Sequence, residues 1–340
     1  MIVNERAGSK VKKQIRCCID LGSTYARLLA VGGFFGPRAP RFDDVREERI
    51  HVGWGADLLV RGRIGPDAAD RAARVLETLV DRARAFGCPD PAVLATNALR
   101  SAPDRDEVRQ LLERRARARV RVLSGTGEAA LGFIGAASTL EEGTPAVLAD
   151  PGGTSTEIAW GAAGRVDGTL SIGWGTHSAA LLLRRFPGGA APGACRRAAL
   201  SLAGAIDPAL AVMRGRLSDS SLPGGRRAPT ILMTGGTAVA IAAIARHIRR
   251  GDPLRIDHEL RETVDLPIVG PRIMAALRGA GARRYPVEEE RRKLLLPGLI
   301  LVLAVARGLG STRPTVTARD LRWGAVLTGE PIPEEYLADE

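Results

Sequence analysis

One stretch, Ala146–Gly161, constrains the fold more than any other part of the chain. It contains an apolar run typical of a buried strand, a small-residue turn that begins at Asp150, and a second strand near Ser155–Gly161. Gly152 and Gly153 allow main-chain N–H groups to come close to a ligand, and concave turns of this kind favour anions. From these residues alone, a tight hairpin without a ligand and a phosphate-binding turn are equally good interpretations. Asp150 is a candidate metal ligand.

The same pattern occurs near the N-terminus. The apolar strand Gln14–Asp20 is followed by the turn Leu21-Gly22-Ser23-Thr24 and by a second strand, Tyr25–Val31. Since each strand–turn–strand unit has an aspartate at the end of its first strand, we predict two similar α/β halves that each contribute one turn to a cleft. A third glycine turn, Thr234–Thr237, precedes an apolar helix, where it is either an anion site or simply a tight connection.

The remaining elements are predicted from apolar periodicity and from the positions of glycine and proline. Further strands are predicted at 51–54, 92–95, 119–123, 164–172 and 230–233, and helices at 67–86, 104–117, 125–137, 176–186, 194–215, 238–248, 270–281, 288–309 and 317–327. Thr317 is the expected cap of the last helix. Segments 34–48, 216–228 and 249–268 are predicted to be loops.

The charge balance is strongly basic. The net charge is +11, and the excess is nearly all arginine. One interpretation is a compositional bias that places arginine on solvated helix faces, and the other is a positive field that attracts a polyanion. Aromatic residues are scarce and are not interleaved with the arginines, so a stacking platform for single-stranded nucleic acid is not expected. We therefore predict no specific nucleic-acid partner.

Targeting and redox features favour the cytoplasm. Residues 1–13 read as a basic, flexible leader without the apolar core of a signal peptide. The longest apolar run, Leu294–Ala306, is too short to span a bilayer, so no membrane partner is predicted. The four cysteines lack paired metal-ligand spacing and are expected to be small buried residues in a reducing compartment.

Several catalytic motifs are absent from the sequence. It has no G-x-x-x-x-G-K-[ST] loop, no H-E-x-x-H and no G-x-S-x-G. The four histidines are scattered along the chain. Nucleophilic serine or cysteine catalysis therefore has little support.

Five blocks of sequence, taken together, resemble the exopolyphosphatase/guanosine pentaphosphate phosphatase (Ppx/GppA) family. They are CIDLGSTYARLL at 18–29, ATNALRSA at 95–102, SGTGEA at 124–129, DPGGTSTE at 150–157 and MTGGTAV at 233–239. The corresponding family patterns are I-D-[IL]-G-S-N-S-x-R-L-L, A-T-[SE]-A-L-R-x-A, S-G-x-E-E-A, D-I-G-G-G-S-T-E and a strand–Gly-Gly-Thr–helix block. Order and spacing agree, and the likeness covers roughly residues 14–329.

The resemblance implies a fold of the actin, sugar-kinase and chaperone ATPase type. The expected class is α/β, with two duplicated actin-like (ribonuclease H-like) domains, mixed sheets flanked by helices, and an interdomain cleft. After the leader at 1–13, the first domain would cover residues 14–133 and the second 134–312. Residues 313–340 would form a C-terminal helix and tail that pack back on the first domain. The chain looks like a short family member, and the family likeness implies a homodimer.

The resemblance also implies roles for individual residues. Glu128 would be the general base for an attacking water, and Arg100 would bind a phosphate directly as a second catalytic residue. Asp150 would help to bind Mg²⁺ or Mn²⁺, with Asp20 and Glu157 as partners. The implied phosphate cradle consists of Gly22, Ser23, Thr24, Arg100, Gly152, Gly153, Thr154 and Ser155. Such a site suits phosphoanhydride hydrolysis, which depends on a positioned water and on neutralised oxygen charge.

The chain departs from the family pattern at five positions near the expected site. Thr24 and Tyr25 replace the Asn and Ser of the first turn, and Gly127 stands where the acidic pair begins. Pro151 removes an N–H donor, and Thr154 replaces the third glycine of the second turn.

These departures keep three hypotheses open. The leading one is a metal-dependent hydrolase that releases terminal phosphate from inorganic polyphosphate or guanosine pentaphosphate. The second is a weak or inactive polyphosphate- or nucleotide-binding regulatory protein. The third is a small-molecule kinase or ATPase on the same scaffold.

Overall fold

The first half of the chain forms a five-stranded mixed sheet. In this computed structural model, which describes residues 13–35, 40–187, 191–219, 228–246, 260–277 and 289–338, the strand order is β3-β2-β1-β4-β5. The strands β1, β2 and β3 are antiparallel neighbours, and β4 and β5 run parallel to β1. Their bounds are β1 Gln14–Leu21, β2 Tyr25–Phe34, β3 Arg41–His51, β4 Ala92–Ala95 and β5 Val120–Val122. The helices of this half are α1 Trp54–Arg61, α2 Pro66–Ala85, α3 Asn97–Arg100 and α4 Arg105–Ala116.

The second half repeats this arrangement and adds one strand. Its sheet has the order β10-β11-β9-β6-β7-β8, in which β9, β6, β7 and β8 correspond to β4, β1, β2 and β3. The strands are β6 Pro145–Pro151, β7 Thr156–Ala162, β8 Arg165–Ile172, β9 Thr230–Met233, β10 Arg261–Thr263 and β11 Thr315–Thr317. The helices are α5 Gly125–Ala137, α6 Thr176–Arg184, α7 Pro192–Asp219, α8 Gly235–Ala245, α9 Leu266–Leu277, α10 Glu289–Gly308 and α11 Leu321–Thr328. The predicted duplication into two α/β halves is confirmed.

The two halves exchange their last helices. Helix α5 follows β5 of the first half, yet Ala129 and Phe133 pack against Leu148 and other residues of the second sheet. Helix α11 follows β11 of the second half, yet Trp323 packs against Leu29 and other residues of the first sheet. The predicted domain boundary between residues 133 and 134 falls inside α5, and the predicted domain division stays a prediction.

Two glycines allow α5 and α11 to touch through their main chains. A Cβ added at Gly324 would lie 1.9 Å from the carbonyl oxygen of Leu131 in α5. A Cβ added at Gly135 would lie 2.1 Å from the carbonyl oxygen of Asp320, at the start of α11. Any side chain beyond glycine would therefore force the two helices apart.

The sequence assigned several elements wrongly. Residues 41–48, expected in a loop, form most of β3, while the strand expected at 51–54 is the end of β3 followed by the start of α1 at Trp54. Much of β3 is solvent-exposed, so it lacks the apolar alternation that identifies a strand. Part of the segment 249–268 is the strand β10 rather than loop, and residues 220–227 and 247–259 lie outside the described residues, as do residues 1–12 of the leader.

The start of the last helix was also misplaced. Thr317 ends β11 instead of capping a helix, and the cap of α11 is Asp320, whose carboxylate accepts a hydrogen bond from the N–H of Arg322. Asp is as favourable as Thr at a helix N-cap, so composition alone did not separate the two positions.

Burial of the cysteines agrees with the prediction. All four are buried, and neighbouring Cys17 and Cys18 lie in different core clusters on opposite faces of β1.

One described helical stretch, Gly193–Arg216, is long and apolar enough to cross a membrane by length and composition. Leu202, Ile206 and Leu210 on one of its faces pack into the core of the second half, while Leu200 and Val212 are exposed.

Candidate active site

The carboxyl ends of β1, β4, β6 and β9 meet at a cleft between the two sheets. It holds about 790 Å³ of empty space, part of which is open solvent. Its lining includes Asp20, Gly22, Ser23, Thr24, Tyr25, Arg27, Asn97, Glu128, Asp150, Pro151, Gly152, Gly153, Thr154, Ser155, Glu157, Gly235, Gly236 and Thr237. The cleft thus brings together every predicted site residue except Arg100.

The two strand–turn–strand units have the same internal hydrogen bond. The N–H of Gly22 donates to the carbonyl oxygen of Tyr25 at 3.1 Å, and the N–H of Gly152 donates to that of Ser155 at 2.9 Å. These two donors close the turns, so they do not face a ligand as the resemblance implied. The N–H groups of residues 23–24 and 153–154 have no hydrogen-bond partner within the described ranges, and they are the donors that each turn offers to an anion.

The two turns touch each other across the cleft. A Cβ added at Gly153 would lie 1.9 Å from Oγ of Ser23 and 3.1 Å from its Cβ, so a larger residue there would require the Ser23 hydroxyl to rotate away. On the rim, Nδ2 of Asn97 donates to Oγ1 of Thr154 at 2.9 Å. Asn97 occupies the [SE] position of its motif and Thr154 the third-glycine position, so two departures from the family pattern are hydrogen-bonded to each other.

Glu128 and Arg100 form a half-buried ion pair. Nη1 of Arg100 lies 3.2 Å from Oε2 of Glu128 and also donates to the carbonyl oxygen of Leu123 at 2.6 Å. The Glu128 and Arg100 side chains retain 11% and 17% of their exposure. Arg100 is not among the described residues that line the cleft, and the contact that it makes orients Glu128. Its direct contact with phosphate stays a prediction.

The pKa of Glu128 is raised well above its ordinary value. Burial is the main cause, and the nearby charge of Glu157 adds to it, while Arg100 opposes both. A carboxylate with a raised pKa accepts a proton more readily, which suits a general base working near neutral pH.

Asp150 and Glu157 lie opposite each other on β6 and β7. Burial, followed by the charge of Glu157, raises the pKa of Asp150 to about 7. Burial also raises the pKa of Glu157, although hydrogen bonds from Ser155 and Ser171 oppose the shift. Ionising two neighbouring buried carboxylates together is costly because their charges repel, and a bound cation would offset that repulsion.

Asp20 differs from Asp150, its counterpart in the first half. Its Oδ2 accepts a hydrogen bond from Nε of Arg27 at 3.0 Å, while its buried Oδ1 has no hydrogen-bond partner among the described residues. Burial raises the pKa of Asp20, and Arg27 opposes this.

Arg27 joins Asp20 to a chain of buried charges that sequence reasoning missed. Nη1 of Arg27 lies 2.7 Å from Oδ2 of Asp320, and Nε of Arg322 lies 3.0 Å from Oδ1 of Asp320. Burial alone would raise the pKa of Asp320, but Arg322 and Arg27 outweigh it and the pKa is lowered. The network ties β1 and β2 to the start of α11 beneath the cleft. Its members are 293 positions apart, so no local motif links them.

The third glycine turn also faces the cleft. Gly235 has a φ of +83°, and a Cβ added there would lie 2.2 Å from Oδ1 of Asp150. Only glycine combines this backbone conformation with so close an approach. The turn begins α8, so the N-terminus of that helix adds a favourable field for anions next to Asp150.

A hard divalent cation fits the donors of the cleft. Mg²⁺ is usually held by one or two carboxylates together with waters and substrate phosphates. Asp150 and Glu157 supply such a pair, and the buried Oδ1 of Asp20 lacks a partner nearby. Over the described ranges, no group of three or more His, Cys, Asp or Glu residues is arranged to hold a metal by itself. A three-carboxylate cage is therefore absent there, and the assignment of individual metal ligands stays a prediction.

Comparison with known proteins shows the fold and finds a family similarity over part of the chain. A model of the Ppx/GppA phosphatase family matches residues 37–191. The structure of an Aquifex aeolicus Ppx/GppA enzyme superposes with a TM-score of 0.72 at 18% identity, covering 94% of this chain and 100% of that one. An exopolyphosphatase from Cytophaga hutchinsonii gives a TM-score of 0.72 at 19% identity, covering 93% and 97%. An exopolyphosphatase-like protein gives 0.74 at 20%, with the same coverages. The predicted duplicated actin-like fold is confirmed.

Proposed function

We propose that this chain, whose residues 37–191 match the model of the Ppx/GppA phosphatase family, is a metal-dependent phosphoanhydride hydrolase that releases terminal phosphate from inorganic polyphosphate, with guanosine pentaphosphate as the second substrate to test. The observation that carries this proposal is the Glu128–Arg100 pair at the edge of a cleft whose two turns offer unpaired N–H donors. The donors would hold phosphate oxygens, and the carboxylate would face the attacking water.

In this mechanism each group has one task. Glu128 orients a water and accepts its proton at the carboxylate as the water oxygen attacks the terminal phosphorus. The bridging P–O bond breaks at the same phosphorus, so that terminal phosphate and the chain shortened by one phosphate are released. Arg100 holds Glu128 in place through Oε2. The N–H groups of residues 23–24 and 153–154 donate to the phosphate oxygens and stabilise the charge that develops on them. A Mg²⁺ or Mn²⁺ ion, held by Asp150 with Glu157 or Asp20, would supply further charge neutralisation when bound.

A second groove supports an extended polyanion as substrate. It meets the cleft at Thr24 and Leu294, which line both spaces. Among the residues that the structure describes, its cationic and imidazole side chains are His51, His177, Arg184 and Lys293, and none of those lining it is a carboxylate. Positive side chains beyond the cleft would attract the remote phosphates of a long chain, whereas a short anhydride would not reach them.

The hydrogen bond between Asn97 and the second turn favours one alternative, a weak or inactive binding protein. The Asn97–Thr154 hydrogen bond narrows the cleft, and Pro151 removes a donor beside it. A protein that binds polyphosphate or a nucleotide without turnover would tolerate such narrowing.

A phosphate-release assay tests the proposal. Wild type and Glu128→Gln are compared with polyphosphates of defined length, guanosine pentaphosphate and ATP, in Mg²⁺ or Mn²⁺. Since a positioned general base typically contributes 10²–10⁴-fold, we expect the variant to lose at least about 100-fold in kcat. Glu107→Gln, on the exposed face of α4, is the matched control and should keep wild-type activity. No release by wild type with any of these substrates, or equal release by Glu128→Gln, contradicts the hydrolase proposal.

The groove is tested by chain length. Arg184→Ser should raise KM for polyphosphates long enough to occupy the groove and leave KM for the shortest substrate unchanged. Arg185→Ser is the matched control, because Arg185 is exposed next to Arg184 but does not line the groove. Equal effects of the two substitutions at every chain length would mean that the groove does not bind substrate.

A further inference from the structure

The C-terminal segment, residues 330–338, lies against the strand and helix that carry Glu128. Leu337 forms an antiparallel bridge with Leu123, and the N–H of Ala338 donates to the carbonyl oxygen of Val122 at 2.8 Å. The N–H of Ser124 donates to the carbonyl oxygen of Tyr336 at 2.9 Å. The segment thus adds to the outer edge of β5 and continues onto the residue that caps α5.

The segment is fixed at both ends. Near its start, Oε1 of Glu330 lies 2.7 Å from Nη1 of Arg121 on β5. Ile332 is buried in the cluster that also contains Leu131 of α5, and Leu337 packs against the same cluster. The contact is therefore a packed part of the fold.

Gly127 makes room for this segment. A Cβ added there would lie 2.1 Å from the carbonyl oxygen of Tyr336 and 2.5 Å from its Cα. These are main-chain atoms, so they cannot rotate away as the end of a side chain can. Gly127 stands where the acidic pair of the S-G-x-E-E-A motif begins, so this departure coincides with the contact of the C-terminal segment.

The first turn of α5 needs external support. It contains Gly125 and Gly127, and glycine is among the weakest helix formers. The turn is held by Ser124, whose Oγ accepts from the N–H of Gly127 at 2.9 Å and whose carbonyl oxygen accepts from the N–H of Glu128 at 2.9 Å. Ser124 in turn is bonded through its own N–H to Tyr336, and its Oγ lies 3.2 Å from the same carbonyl oxygen.

We propose that the C-terminal segment is a positioning element of the active site, which holds the first turn of α5, and with it Glu128, in the geometry required for catalysis. The chain of contacts runs from Tyr336 through Ser124 to Glu128 and onward to Arg100. The role in catalysis rests on the proposed hydrolase function, but the ordering of the helix turn does not.

A double-mutant cycle tests the proposal. The full chain, a chain that ends at Gly329, Gly127→Ala, and Gly127→Ala in the shortened chain are compared. Removal of the segment should lower kcat at least tenfold with KM changed less than twofold, because Glu128 is displaced while the phosphate-binding turns remain. Gly127→Ala in the full chain should give a similar loss, since it expels the segment, and it should cause no further loss in the shortened chain. Gly132→Ala on the same helix is the control, because its added Cβ would meet only a side-chain methyl of Leu148, at 3.2 Å.

Two further measurements complete the test. A synthetic peptide of residues 330–338 should restore kcat to the shortened chain and should not restore it to the shortened chain carrying Gly127→Ala. Amide hydrogen exchange at positions 127 and 128 should be faster in the shortened chain and in Gly127→Ala than in the full wild-type chain. This measurement does not depend on catalytic activity. If wild type releases no phosphate but exchange rises as expected, the proposed function fails and the structural role of the segment stands. Three results would overturn the positioning role. They are a shortened chain with wild-type kcat, losses that multiply when the two changes are combined, and unchanged amide exchange in a folded Gly127→Ala protein.

Discussion

Replacing Asp150 by asparagine should stabilise the metal-free protein at alkaline pH, even though it removes a residue of the candidate active site. The pKa of this carboxyl is raised from 3.8 to about 7, by burial first and by the charge of Glu157 second. Because its pKa is higher in the folded state than in the unfolded state, the contribution of Asp150 to the free energy of unfolding is fully present only below about pH 4. That contribution is lost as the pH rises to about 7.

The size of the effect follows from the shift. A difference of about three pKa units, at 1.36 kcal/mol per unit, sets a ceiling of about 4 kcal/mol. Solvent in the cleft and the coupling to Glu157 reduce this value, so we expect Asp150→Asn to raise the free energy of unfolding by about 2 kcal/mol at pH 8. At pH 4.5, where the wild-type carboxyl is protonated in the folded state, the two proteins should differ by less than about 0.5 kcal/mol.

Urea denaturation at pH 4.5 and pH 8 in the presence of EDTA measures both values. Asp320→Asn is the control with the opposite sign, because Arg322 and Arg27 hold the pKa of Asp320 below its ordinary value. Removing one partner of that buried network should destabilise the protein by about 3 kcal/mol at pH 8. A lower stability of Asp150→Asn than of wild type at pH 8, or a difference that does not change with pH, would refute the reasoning.

Two further predictions concern contacts described above. Gly324→Ala should lower the free energy of unfolding by about 2–3 kcal/mol in urea denaturation, because the added Cβ meets the main chain of α5 at 1.9 Å; Gly204→Ala, which adds a Cβ in open space, should cost nothing. Arg100→Gln should raise the pKa of Glu128 further, so the acidic limb of the pH profile of kcat should move to higher pH. Arg109→Gln, in an exposed pair on α4, should leave the profile in place, and an unchanged profile for Arg100→Gln would exclude the orienting role.

The features that the sequence predicted best are those encoded by neighbouring residues. A strand, a small-residue turn and a second strand can be recognised within about fifteen positions, and the repetition of that unit at Asp20 and Asp150 predicted the two halves. The motif around Glu128 likewise predicted that its carboxylate lies at the cleft. These inferences rely on local spacing, which can be recognised in a single sequence without knowing which distant residues are in contact.

The sequence did not predict contacts between residues that are far apart in the chain, nor the strand β3, which is largely exposed. The Arg27–Asp320–Arg322 network joins the first strands to the last helix. Arg27 lies in a recognised motif, but no local signal pairs it with Asp320. Gly127 was recognised as unusual, but its reason lies in Tyr336, more than two hundred positions later. The family resemblance implied that Arg100 binds phosphate, but its contacts with Leu123 and Glu128 were not predicted.

The exchanged helices restrict how the cleft can open. At Gly135 and Gly324 the main chains of α5 and α11 are in contact, so the two halves cannot slide past each other there without breaking the crossing. Glu128 lies in the first turn of one of these helices and Asp320 caps the other, which places the crossing beside the floor of the cleft. The motion that preserves these contacts is a rotation with its hinge at the crossing. In such a rotation the floor hardly moves and the Asn97–Thr154 rim separates.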